Sequence, residues 1–260
     1  MLRDRITTLN EFKGAALLKQ AGIPVIESIL AQDHSKAAAA GDRLGFPVVL
    51  KICSDAVPHK TEQGGVVLNI KNTAALEKAA RDMEKRFSSV SHQLLVQKMA
   101  HPGNEIILGG RRDPVFGPVV LVGIGGIFTE IFRDTVIDLS PVDEKNAEAM
   151  LRRLKGAALL EGYRSQKPLD IAAVAKAVSA LSMLLSSRPD ILEIDVNPFI
   201  VYPEGGVAVD ALVRMDGKFA AIPRKRAIVS VLPAGQLPDV RAACPGIDTH
   251  RPDPGVSASI

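Results

Sequence analysis

The stretch VVLKICSDAVPHKTEQGGVVLNI, residues 48–70, decides the fold. It reads as two apolar strands around a loop that carries His59, Lys60, Gly64 and Gly65. The first strand, over 47–52, is a run of Val, Leu and Ile interrupted by Lys51. A lysine in such a strand calls for an anion, because a buried ammonium is costly unless one meets it. The second strand, over 65–70, starts directly at the glycines. Glycine there lets backbone approach a ligand closely. Strand, lysine, glycine-containing loop and strand together suggest a hairpin that holds phosphate. A surface hairpin with solvated charges is the plain alternative.

Working outward, apolar residues at Phe12, Ala15, Ala16, Leu17 and Leu18 predict a helix over 9–20, stopped by Gly22 and Pro24. A strand over 24–31 and an Ala-rich helix over 35–44 follow. Beyond the hairpin come a helix over 73–87, with Thr73 as its cap, and a strand over 93–99. Helices, strands and one internal hairpin imply an α+β unit with antiparallel pairing. No G-x-G-x-x-G joins a strand to a helix, so a dinucleotide fold has no support. Strands are expected over 104–111, 119–123 and 129–139, with a tight glycine cluster, GIGG, at 123–126. A helix over 143–154 opens on Asp143, and the spacing of Val174, Val178, Leu181 and Leu185 predicts another.

The second informative stretch is LEIDVNPF, residues 192–199. In a strand, Leu192, Ile194 and Val196 share one face and Glu193, Asp195 and Asn197 the other. A link with Glu204, Gly205 and Gly206 leads into VAVDAL, a returning strand that ends near Asp210 and brings it back beside Asn197. A few hard oxygen ligands, with phosphate and water supplying the rest, suit Mg²⁺. A solvated strand face is the alternative.

Bulk properties narrow the function. The net charge is +3 and Lys and Arg are scattered, so nucleic acid is not an expected partner. Two cysteines with no metal-ligand spacing point to a reducing cytoplasm. The N-terminus has no apolar signal core, and the longest apolar stretch, 115–128, is too short to span a membrane.

With both motifs in view, the chain resembles the ATP-grasp β subunit of the ADP-forming (NDP-forming) acyl-CoA synthetases, relatives of succinyl-CoA synthetase. The likeness rests on FPVVLKICSDAVPHKTEQGGVVLNI, on LLVQKM followed by NEIILGGRRDPVFGPVVLVGIGGIFTE, and on LEIDVNPF with VAVDAL. It implies an ATP-grasp fold, two α+β subdomains enclosing ATP, over residues 1–217, with subdomains over about 20–96 and 97–217. A loosely ordered tail is expected over 218–260. By position in the motifs, Lys51 matches the lysine on the ATP phosphates, and Gly64, Gly65 and Val66 the loop that covers them. Gln97, Lys98 and Met99 match the linker whose backbone reads adenine, and Glu105 the acid near the ribose. Asn197 and Asp210 match the Mg²⁺ ligands, with Glu193 as a further acid. His59 matches the histidine that carries phosphate between sites, with Lys60 beside it to offset the added charge. Lys98 stands where an acid is frequent, which leaves ATP or GTP open. The resemblance also implies a partner, a CoA-binding α subunit, through which a small carboxylic acid and CoA are reached in a hetero-oligomer. A non-catalytic regulatory nucleotide-binding module and a stand-alone carboxylate–amine ligase are the alternatives.

Overall fold

The computed structural model describes residues 6–54, 60, 63–126, 134–162 and 167–217. They build two antiparallel sheets. The expected hairpin strands are β3 (Val48–Cys53) and β4 (Val66–Ile70), paired antiparallel with Lys51 opposite Val66. β2 (Ser28–Ala31) and β5 (Gln93–Lys98) complete a four-stranded sheet in the order β2-β5-β3-β4. Val48, Leu50 and Ile52 of β3 join Leu94 and Val96 of β5 in a core beneath helices α2 (His34–Leu44) and α3 (Thr73–Arg86). Each buried Leu or Ile there contributes about 1.5–3 kcal/mol over leaving it exposed. Strand alternation then sends Val49, Lys51 and Cys53 to the face away from the helices.

Helix starts follow cap chemistry. Asp33 caps α2 by accepting from Lys36 N–H at 2.7 Å. For α3 the cap is Asn72, one residue before the expected Thr73, because its carboxamide oxygen accepts from Ala75 N–H at 2.9 Å. The Thr73 hydroxyl instead donates to Asp42 at 2.5 Å and ties α3 to α2.

The larger sheet contains β1 (Ile6–Leu9), β6 (Asn104–Asp113), β7 (Gly117–Ile124), β8 (Thr135–Leu139), β9 (Ile191–Val201), β10 (Gly206–Ala208) and β11 (Leu212–Asp216). Its order is β1-β11-β9-β6-β7-β8, with β10 also on β9. Asp143 caps α4 (Glu144–Arg152) as expected. A single turn, α5 (Ala157–Leu160), and the long α6 (Ile171–Ser187) follow. The spacing read in the sequence holds, since Val174, Val178, Leu181 and Leu185 are all buried against this sheet. Helix α1 (Glu11–Gln20), capped by Asn10, puts Leu18 into the same core, and β1 pairs with β11. The N-terminal segment thus belongs to the larger lobe.

The strand expected over 129–139 is described from Thr135 onward, and 127–133 lie outside the described residues. The tail expected over 218–260 also lies outside them. No helix among the described residues is long and apolar enough to cross a membrane.

Candidate functional site

Lys51 leaves its strand toward the larger lobe and is 6% exposed. Its ammonium donates to Glu11 Oε1 at 2.5 Å and to the Val209 carbonyl at 3.2 Å. The other Glu11 oxygen accepts from the Lys60 ammonium. One carboxylate, its side chain 2% exposed, therefore bridges two lysines that come from the hairpin. Glu11 itself sits in the first turn of α1, on the other lobe. The anion that a buried strand lysine demands is here a protein carboxylate. Burial works to lower the Lys60 pKa, but the charges of Glu11 and Asp210 outweigh it and hold the ammonium above the ordinary lysine value. Gln97, on the same face of the sheet, donates to the Val209 carbonyl at 3.0 Å. Its Oε1 is the one buried side-chain polar atom among the described residues that lacks a hydrogen-bond partner. Glu11, Ser28, Leu95, Gln97, Val209 and Asp210 line a common pocket between the sheets.

The loop glycines are placed by contact. Gly65 N–H donates to the Lys60 carbonyl at 2.7 Å, and the Gly65 carbonyl accepts from Ile52 N–H at 2.8 Å. Gly64 has φ +68°, and its carbonyl accepts from Arg86 at 2.8 Å. A Cβ on Gly64 would lie 2.1 Å from Arg86 Nη1. Gly64→Ala is therefore expected to cost about 1–2 kcal/mol, from backbone strain and loss of the Arg86 clamp, measurable in a urea melt. Val66, half-buried, lies opposite Lys51. His59 lies outside the described residues.

In the expected adenine linker, Lys98 N–H donates to the Glu27 carbonyl at 2.9 Å and Met99 N–H to the Pro47 carbonyl at 3.1 Å. Both amide donors are thus engaged within the protein. Lys98 is exposed. Glu105 is exposed as well, and its carbonyl accepts from Gly125 N–H at 2.6 Å, which seats the GIGG cluster against it. A Cβ on Gly125 would meet Glu105 at 2.7 Å, so this approach requires glycine.

The returning strand does what the sequence suggested, with a break. β10 pairs Ala208 with Phe199, and β11 resumes with Leu212 opposite Asp195 in the same register. Val209 N–H donates to the Pro198 carbonyl at 3.0 Å, so the next position, Asp210, falls opposite Asn197. Regular strand stops there, and Asp210 Oδ1 accepts from Ala211 N–H at 2.8 Å. Asp195 is half-buried, and burial, then the neighbouring charges of Glu193 and Asp210, raise its pKa. Glu193 itself is paired with Arg214 at 2.9 Å on the exposed side. No three acidic, histidine or cysteine side chains among the described residues form a metal cage on their own. An amide and a carboxylate at opposed positions of the two segments, beside an acid whose pKa like charge helps to raise, nonetheless fit a divalent cation that takes its remaining ligands from phosphate and water.

That raised pKa has a pH signature. A carboxyl raised in the fold favours folding while protonated, and this contribution is lost as pH rises from the unfolded value through the raised one. Asp195→Asn should therefore be more stable than the parent at neutral pH in metal-free buffer, with the difference vanishing near about pH 4. Chemical denaturation across that range measures it.

Comparison with known proteins fits this geometry. A family model described as the ATP-grasp domain matches residues 1–215. The chain belongs to the ATP-grasp family. Within that family it is 36% identical over 208 residues to the acetate–CoA ligase [ADP-forming] I subunit beta of Pyrococcus furiosus, covering 78% of this chain and 90% of that one. It is 35% identical over 208 residues to the 4-hydroxybutyrate–CoA ligase [ADP-forming] of Nitrosopumilus maritimus, covering 78% of this chain but spanning only 30% of that larger protein. A solved structure of the dinucleotide-forming acetyl-coenzyme A synthetase 1 of Ca. Korarchaeum cryptofilum superposes with a TM-score of 0.72 at 37% identity, over 80% of this chain and 93% of that one. That structure holds coenzyme A and Mg-AMPPCP, and its phosphohistidine segment points towards the nucleotide-binding site. The two sheets of this ATP-grasp chain are thus the expected α+β lobes.

Glu11 was not legible as a site residue. In the sequence it is an acid in the first turn of a helix, where acids are common for the helix dipole alone.

Proposed function

We propose that this chain is the nucleotide-binding β subunit of an ADP-forming acid–CoA ligase. The observation that supports this best is Lys51: a buried strand lysine, aimed from one lobe at the other, beside Lys60 and across from the break at Asp210. In this reading ATP lies between the sheets. Lys51 and Lys60 meet phosphate oxygens, and the loop at Gly64, Gly65 and Val66 closes over them. Gln97, Lys98 and Met99 border the base, and Glu105 the ribose. With both linker amides engaged, carbonyls and the Gln97 side chain are left to read the base. Asn197 and Asp210 would hold Mg²⁺, which supplies charge neutralisation on the phosphates. Glu193 is the weaker ligand, because Arg214 already neutralises it.

Phosphoryl transfer needs positioning and charge neutralisation more than covalent work by the protein. A His59 ring nitrogen attacks the terminal phosphorus, the bond to the β-phosphate oxygen breaks, and ADP leaves. Lys60, next in the chain, offsets the new charge. The phosphoryl group then passes to a carboxylate, giving an acyl phosphate, and the CoA sulfur displaces inorganic phosphate. This chain spans nine-tenths of a named β subunit but under a third of the single-chain ligase. Because the first of these relatives is named a subunit beta, the CoA-binding half is read as an α partner. Mixing the chain with such a subunit is expected to yield acyl-CoA and ADP from ATP, a short acid and CoA, with neither component active alone. Full activity of this chain by itself would overturn the assignment.

A further inference from the structure

Glu11 has no place in the chemistry above, yet it holds both lysines that chemistry uses. We propose that Glu11 is a built-in stand-in for phosphate, occupying Lys51 and Lys60 in the nucleotide-free state and yielding them when a nucleotide enters. The inference rests on reading those lysines as the phosphate ligands.

Three features of the structure carry it. The first is the bridge itself. Each carboxylate oxygen takes a different ammonium, as two oxygens of one phosphate would. The second is reach. Glu11 cannot follow the lysines, because it is fixed in an Asn10-capped turn of a helix whose Gly14 packs on Ala211, with a Cβ at residue 14 only 3.0 Å from the Ala211 carbonyl. Lys51 and Lys60 carry long, flexible stems, and Lys60 is 20% exposed, so the lysines do the moving. The third is a neighbouring buried acceptor. Gln97 Oε1, buried in the same pocket, has no partner. A pocket closed by a carboxylate but still lacking one hydrogen bond is a pocket awaiting a ligand.

The consequence is a competition between carboxylate and phosphate. A merely structural ion pair would stabilise the free and nucleotide-bound forms alike. A stand-in stabilises the free form selectively, since the nucleotide brings its own anion. Glu11→Gln keeps the shape but removes the charge, and leaves an amide N–H facing one ammonium.

The test is thermal unfolding of the full chain, with and without magnesium and a non-hydrolysable ATP analogue, together with equilibrium binding of that analogue. Without nucleotide, the Glu11→Gln midpoint should fall by several degrees. At saturating analogue it should return to near the parent value, so the nucleotide-induced shift grows. The analogue should bind roughly threefold or more tightly, because one like charge has left the phosphate site. Glu11→Asp keeps the charge but is one methylene too short to span both ammoniums. It should behave in the same direction to a smaller extent, and it serves if the glutamine variant does not fold. Equal loss in both states with unchanged or weaker affinity would show Glu11 to be structural and overturn the proposal. Failure of the parent chain to bind the analogue would instead overturn the nucleotide site, and the proposal with it.

Discussion

Lys51→Met is expected to abolish binding of Mg-ATP, weakening it by about a hundredfold or more, because a fully desolvated charge pair is among the few contacts worth that much. The lysine is 6% exposed and no other cation among the described residues reaches the Val209 carbonyl from β3. The variant should also lose stability. Glu11 would keep only Lys60, and breaking a buried pair from one side costs about 3–5 kcal/mol. Stability and binding must therefore be separated. Lys51→Met combined with Glu11→Gln removes the orphaned carboxylate and should recover part of the lost stability without recovering nucleotide affinity. Calorimetric titration of a non-hydrolysable analogue and urea melts on the same samples make the comparison. Recovered affinity in the double variant would mean that Lys51 serves the fold alone.

His59→Ala is expected to behave in the opposite way. Nucleotide affinity should stay within about threefold of the parent, since the ring contributes chemistry and not phosphate binding. Turnover with the α partner should fall by about four orders of magnitude or more, as for loss of any covalent nucleophile. A neutral imidazole is a competent nucleophile near pH 7. Lys60, its neighbour in sequence, has its ammonium on Glu11 in the pocket. Steady-state acyl-CoA formation and analogue titration, run on one preparation, decide it.

The parts of the fold that were legible in the sequence are those written in local periodicity. The hairpin of β3 and β4 announced itself by two apolar runs around glycines, and α6 by apolar residues at helical spacing. The alternation of Glu193, Asp195 and Asn197 against buried Ile194 and Val196 was also local, and the short link after Val201 fixed the register that returns Asp210 to Asn197. What was not legible depends on contacts far apart in sequence. Glu11 becomes a site residue only because its partners stand 40 and 49 residues away. The Val209 carbonyl, which takes both Lys51 and Gln97, is a backbone atom and has no residue signature. β1 was missed for the same reason, since four residues at the N-terminus become a strand only by pairing with β11. The returning strand was read as ending near Asp210, and β11 beyond it was missed because those residues become a strand only by pairing with β9 and β1. The cap of α3 moved to Asn72 because its carboxamide reached Ala75 N–H and Thr73 found Asp42 instead.

The most direct test of the phosphate-relay assignment is incubation of this chain and its α partner with ATP labelled at the terminal phosphate. Label that is stable to base and labile to acid should appear on this chain, map to His59 and be chased off by ADP. Its absence from this chain while the pair still makes acyl-CoA, or its persistence in His59→Ala, would contradict the assignment.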